Sequence, residues 1–229
     1  MQVASDSRKV AAELVATFLF VFVGAGGVIS AAALGPSTGL LVAAFANGIG
    51  LALAVSISMN VSGGHVNPAV TLAMLVTKRI KPSLAIAYIV AQVLGATIAA
   101  TLLVALVPAS AGSPVHYGAP SLAQSTSVAT GILLEFIMTF VLLVAVFGTA
   151  VDPRAPKMAG FGIGLAVFLD VLVGGPYTGA MMNPARALGP EIASGFFAVW
   201  YVYWIGPILG GITAALVYDY AILGSSKQT

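Results

Sequence analysis

Charge is what this sequence has least of. Lys and Arg number nine and Asp and Glu seven in 229 residues, 7% charged against 59% apolar, with a mean hydropathy of +1.05. A soluble domain carries about 25% charged residues, so in water this chain would expose apolar area over most of its surface and aggregate. Lipid is the solvent that fits, and the apolar content suffices for six spans of about 20 residues each. Cysteine is absent, which excludes a disulfide framework, a thiol nucleophile and a thiolate metal site. With two His and no nucleophile–base spacing, no enzyme is expected, and no metal or cofactor. The net charge of +2 gives no reason to expect a nucleic-acid partner, and the composition excludes disorder.

The few charges divide the chain. No full charge falls between Glu13 and Lys78, between Lys81 and Glu135, or between Glu191 and Asp219. Turn residues break the first interval at Gly35–Gly39 and the second between Pro108 and Pro120, so each holds two spans. The pattern predicts six, over 9–33, 40–60, 82–107, 126–150, 158–175 and 196–223. The first stretch is span-length and lacks a small-residue cleavage site, unlike a signal peptide. Arg8, Lys9, Lys78, Arg79, Lys81, Arg154, Lys157 and Lys227 then fall on one side, while the connections near 34–39 and 108–125 carry no Lys or Arg. The positive-inside rule puts that side, with both termini, in the cytoplasm. The cell membrane is the expected location. Arg186 is the exception, since it falls in a connection this topology places outside.

Two halves repeat one design. Ala12–Phe18, with Glu13, returns as Leu134–Phe140, with Glu135, at an offset of 122 residues. Ser62-Gly63-Gly64-His65-Val66-Asn67-Pro68-Ala69 returns as Thr178-Gly179-Ala180-Met181-Met182-Asn183-Pro184-Ala185 at an offset of 116. Three spans per half is an odd number, so the halves lie in the membrane with opposite orientation. Repeat one covers about 1–113 and repeat two about 124–229. From Pro68 to Thr77 runs an apolar decapeptide, about 15 Å as a helix and so half of the roughly 30 Å bilayer core. Asn is a good N-cap and Pro suits the first helical position. Each motif is therefore the start of a half-helix, and the two positive helix ends meet at the midplane.

Paired Asn-Pro-Ala loops in a six-span inverted repeat resemble the aquaporin or major intrinsic protein family, in flavour nearest its plant tonoplast and archaeal branches. The resemblance covers the whole chain. It implies an all-α membrane protein, six transmembrane helices plus two half-helices in a three-plus-three inverted repeat, forming a single channel domain over 1–229. It implies a passive water channel that excludes protons and ions, assembled as a homotetramer with one pore per subunit. Asn67-Pro68-Ala69 and Asn183-Pro184-Ala185 are then the pore motifs, the two carboxamides donating to a central water. The carbonyls of Gly63, Gly64, His65, Gly179, Ala180 and Met181 line the file as acceptors. Glu13 and Glu135 brace the loops by accepting backbone hydrogen bonds. A permanently charged guanidinium within a membrane segment is a functional candidate on its own physics; the resemblance makes Arg186 the donor of the outer constriction, whose other positions fall on Asn47, Val171 and Ala180.

That set departs from the family's usual patterns. Asn47 stands where an aromatic residue or His is common, and Val171 where strict water channels tend to have His, so a wider, less polar constriction is expected. Ala187 in place of the Asp of glycerol facilitators, and Tyr203-Trp204, point back toward water. Small neutral solutes such as glycerol, ammonia or dissolved gases are the alternative. A proton-coupled transporter would instead use Glu13 and Glu135 as a relay, and a structural protein would need neither Asn nor Arg186. Asp170, next to Val171, is expected either to bond Asn47 or a loop amide or to sit at a solvated helix end. His65 is expected to brace its loop and His116 to be exposed. Glycines at 24, 26, 48, 50, 95, 162, 164, 210 and 211 allow close helix packing.

Overall fold

Ten-residue and longer apolar segments bounded by Pro, Gly and Ser become helices here, because in lipid every backbone polar group must be satisfied within its own segment. The computed structural model describes residues 4–156 and 158–224; Lys157 and Lys227, two of the eight cations placed on one side, lie outside them. The membrane helices are α1 (Asp6–Ala32), α2 (Pro36–Ser62), α4 (Pro82–Leu106), α6 (Val128–Val146), α7 (Phe161–Thr178) and α9 (Val202–Val217). A wider final turn extends α6 over Phe147–Val151 and α9 over Tyr218–Leu223, and with those turns all six are long and apolar enough to cross a membrane. Between them lie the half-helices α3 (Pro68–Val76) and α8 (Pro184–Ser194). The short α5 (Ala109–Gly112) and a 3-10 turn over Ser113–Gly118 fill the connection after α4.

The observed limits depart from the predicted ones by a few residues at most ends. The largest difference is at α9, expected from 196 and observed from Val202, because Gly195 adopts a left-handed φ of +73° that closes α8. Pro36 and Pro82 each stand in the first turn of a membrane helix, where a missing N–H costs nothing.

Packing follows the repeat. Helix α1 lies between α2 and α4, α6 lies between α7 and α9 in the same way, and α2 meets α7 across the pseudo-twofold axis. The half-helices cross over: α3 packs on α9 and α8 packs on α4, so each repeat completes its core with an element of the other. Close crossings use glycine. A Cβ on Gly95 would collide with the Leu14 carbonyl of α1, and one on its counterpart Gly210 with the Phe136 carbonyl of α6. The outward faces stay apolar and exposed, as at Phe45, Ile86 and Val173, which suits contact with acyl chains.

At the end that carries the cations, one ion pair ties two helix ends and another closes the connection after α6. Arg79 binds Asp219 through both nitrogens at 2.7 Å, and Arg154 holds Asp152 at 2.7 Å. The Arg154 hydrogen bonds pull the Asp152 carboxyl down to about 2, so this pair stays ionised at any physiological pH.

Candidate functional site

The two Asn-Pro-Ala loops meet inside the helix bundle. Asn67 caps α3, its side-chain oxygen accepting from Ala69 N at 2.8 Å; Asn183 caps α8, accepting from Ala185 N at 3.0 Å and Arg186 N at 3.2 Å. Pro68 and Pro184 occupy the first helical positions, and Ala69 and Ala185 are fully buried. Each carboxamide also reaches across the axis: Asn67 Nδ2 donates to Met182 O and Asn183 Nδ2 donates to Val66 O, both at 2.9 Å. An amide nitrogen carries two hydrogens. One therefore locks the facing loop, and the other is left to donate elsewhere. This reciprocal lock lay beyond sequence reasoning, because it joins residues more than a hundred positions apart.

Both loops adopt the same unusual backbone. Gly63, Gly64 and Val66 have φ of +92°, +65° and +54°, and their counterparts Gly179, Ala180 and Met182 have +82°, +50° and +53°. A left-handed β-branched residue such as Val66 is an outlier, and strain of that kind costs about 1–3 kcal/mol per residue unless the surroundings hold it. The surroundings here are the two glutamates. Glu13 Oε1 accepts from Ser62 Oγ at 2.7 Å and His65 N at 2.9 Å, and Oε2 from Val66 N at 2.6 Å. Glu135 repeats the pattern with Thr178 Oγ1 at 2.7 Å, Met181 N at 2.9 Å and Met182 N at 2.7 Å. Neither has any exposed surface.

Two tyrosines complete the symmetry, Tyr88 donating to Ser62 O at 2.8 Å and Tyr203 to Thr178 O at 2.9 Å. Tyr203 is thus a loop anchor, while Trp204 Nε1 finds no partner among the described residues. The first loop has extra support. Gln92 Nε2 donates to Glu13 Oε2 at 2.7 Å and to Thr71 Oγ1 at 3.0 Å, and His65 Nδ1 lies 3.1 Å from the same hydroxyl. At the Thr71 and Gln92 positions the second half has Ala187 and Pro207, so it lacks this arm.

The carbonyls divide sharply. Those of Ser62, Val66, Thr178 and Met182 all accept hydrogen bonds. Among the described residues none donates to the carbonyls between them, those of Gly63, Gly64, His65, Gly179, Ala180 and Met181. Buried backbone carbonyls are rarely left without a partner, and non-helical backbone at membrane depth is tolerated where it lines a wet cavity.

Arg186 is more than nine-tenths buried and tethered twice. Nε donates to Asn47 Oδ1 at 3.2 Å and Nη1 to Gly118 O at 3.0 Å, while Nη2 has no partner among the described residues. Asn47 Nδ2 in turn donates to Ala43 O at 2.9 Å and Gly24 O at 3.4 Å. Its carboxamide is therefore committed to seating the guanidinium rather than left as a free polar wall. The seat includes Gly24, where a Cβ would lie 2.5 Å from Asn47 Oδ1 and 3.3 Å from Arg186 Nε. Val171 and Ala180 are buried in the main apolar core, and Ala187 in a smaller cluster with Met181, Val202 and Tyr203. An outer cavity of about 340 Å³ lies over Gly179, Met181, His116 and Gly118.

Two expectations fail. Asp170 is neither solvated nor bonded to Asn47 or a loop amide: it is buried on α7, its Oδ2 without a partner among the described residues, because the Asn47 amide is already spent on α1 and α2 carbonyls. His116 is not free in the outer loop but half-buried, its ring stacked on Phe196 at 3.6 Å between centroids and 4° between planes. Gly118 was not foreseen, and Gly24 was expected only to allow helix packing. The only local signal for them was a glycine in a turn and one among several in a helix.

The bracing geometry carries two predictions. Glu135→Gln turns one acceptor oxygen into a donor facing N–H groups, at about 1–3 kcal/mol for each buried group left unpaired. The yield of monodisperse protein on size exclusion should drop about ten-fold, as 1.4 kcal/mol or more requires, while protein that does fold keeps its transport; a normal yield would remove the brace. Gly24→Ala should displace the Asn47–Arg186 pair. Water permeability per folded protein, measured in vesicles, should fall several-fold, and unchanged permeability would show the seat to be slack.

Six membrane helices around two opposed half-helices whose positive ends meet at one locked pair of loops define an inverted-repeat membrane protein of the transport type. The major intrinsic protein family model matches residues 1–218, and the chain belongs to that family. Among its relatives are Aquaporin TIP4-4 of Zea mays, 45% identical over 94% of this chain and 88% of that one, and Aquaporin TIP2-1 of Arabidopsis thaliana, 40% identical over 96% and 90%. The fold matches that of the aquaglyceroporin from Plasmodium falciparum with a TM-score of 0.85 at 23% identity, covering 95% of this chain and 97% of the other.

Proposed function

We propose that the protein is a passive water channel that excludes protons and ions. The observation that carries this reading is the set of six unpartnered loop carbonyls, three on either side of the Asn67–Asn183 pair, which water can satisfy in single file. The free hydrogen on each carboxamide donates to the oxygen of a central water, whose own hydrogens then point away toward the two carbonyl sets. A file oriented oppositely in its halves does not relay protons, and the two half-helix dipoles repel cations. Arg186 Nη2 is the free donor of the outer constriction, bounded also by Val171, Ala180 and the Asn47 that seats it. The relatives named aquaporins support the same assignment.

A second reading, passage of small neutral solutes, rests on Val171 and Ala180, which make two walls of that constriction small and apolar. Stopped-flow light scattering on reconstituted vesicles separates the two. Fast shrinkage in sucrose with a low activation energy and no glycerol re-entry is expected; rapid re-swelling in a glycerol gradient would overturn exclusive water passage.

The protein assembles, in this reading, as a homotetramer with one pore per chain, supported by the family and by the exposed apolar helix faces; light scattering of the detergent-solubilised protein tests it. Both termini face the cytoplasm, supported by the cations gathered at one end, and the cell membrane is the location we favour. Imaging a C-terminal fluorescent fusion decides between that membrane and an internal one such as the tonoplast.

A further inference from the structure

Where α3 ends against α9, the face that bears the cations holds a cavity of about 940 Å³ that none of the pore motif residues lines. Its walls are divided. Val76, Leu216 and Tyr220 supply an apolar side that is exposed toward the bilayer, Tyr220 by 84%. Lys78, Arg79 and Arg154 supply a cationic side, in which Asp219 pairs with Arg79 and Asp152, behind the wall, pairs with Arg154. The order is that of a lipid at an interface, with hydrocarbon below, an aromatic residue at the boundary and positive charge above.

The two guanidiniums are held in place. Arg79 is fixed by Asp219 and by the Phe147 ring 5.1 Å away, and Arg154 by Asp152 and, at 3.4 Å, by Ile222 O. Lys78 differs: it is exposed and left-handed at φ +58°, and its side chain makes no hydrogen bond or ion pair among the described residues. Backbone bonds from Lys78 N to Leu75 O and Arg79 N to Met74 O fix that turn. Among the described residues no acid pairs with the Lys78 side chain, and the occupant supplies that anion.

We propose that this cavity binds an anionic phospholipid of the adjoining leaflet, its phosphate at Lys78 between Arg79 and Arg154 and its acyl chain along Val76 and Leu216. The site is separate from the pore, so binding and permeability can be read independently.

Native mass spectrometry of the detergent-solubilised full chain, titrated with phosphatidylglycerol or phosphatidylcholine, tests it. Phosphatidylglycerol should be retained preferentially. Lys78→Gln should weaken it about five-fold, and Lys78→Gln with Arg154→Gln about 25-fold, if each cation near the surface contributes its usual share. Arg8→Gln, a cation of the same end outside the cavity, should change nothing. Lys78 has no partner to lose, so that variant folds even if the double one does not, and vesicle water permeability serves as the control. Equal retention of the two lipids, or an Arg8→Gln effect as large as that of Lys78→Gln, overturns the proposal. Displacement of bound phosphatidylglycerol by millimolar inorganic phosphate overturns the lipid as occupant, since the apolar wall would then contribute nothing.

Discussion

Arg186→Val is expected to admit glycerol while sparing water. The guanidinium is held by bonds to Asn47 Oδ1 and Gly118 O, and its Nη2 has no partner among the described residues. Valine removes both the bulk and the charge and leaves an apolar gap beside Val171 and Ala180. Glycerol, held back by size and by the loss of its own hydration, should cross about ten-fold faster, which asks only about 1.4 kcal/mol of its barrier. Water still meets the loop carbonyls and should change by less than about three-fold, under 0.7 kcal/mol. Vesicle swelling in glycerol and shrinkage in sucrose read the two quantities side by side. A glycerol rate that does not move would take Arg186 out of the constriction.

Asn183→Asp attacks the centre. An Asp caps a helix as well as Asn does, and its charge is favoured at a positive helix end, so α8 should still form. What is lost is the donor to Val66 O and, in the proposed mechanism, to a central water, and what is gained is a negative charge beside two positive helix ends. At about 4 Å and an effective dielectric near 20, a full charge changes a cation's energy by roughly 4 kcal/mol, which corresponds to about a thousand-fold in rate. Vesicles carrying this variant should dissipate a pH gradient that wild-type vesicles hold. Retained water flux without a proton or cation leak would sink the electrostatic account of exclusion.

How much of this was legible follows from distance along the chain. The spans announce themselves through missing charge and the breaks between them through turn residues, although Pro36–Gly39, expected in a turn, already forms the start of α2. The half-helices were readable because Asn and Pro act within one turn, on Ala69 N and Ala185 N. The repeat made Glu13 and Glu135 a pair before any contact was known. Asn47 was legible as a position and not as an actor, since its partners Gly24 and Arg186 sit on other helices. Asp170 and His116 were misjudged for the same reason: whether a side chain is buried or stacked depends on what the far repeat brings beside it.

The sequence by itself determined everything that rests on local hydrogen bonding and on the preference of apolar segments for lipid: six spans, two capped half-helices, the inverted order of the halves and the sidedness of the cations. Only the tertiary structure decided that α3 would pack on α9 and α8 on α4, that each Asn would lock the opposite loop, and that Arg186 would be seated by Asn47 and the Gly118 carbonyl. These contacts join residues tens to more than a hundred positions apart, and no residue type dictates its partner at that separation. The bundle does so by burying these polar groups beside the far partners that can satisfy them.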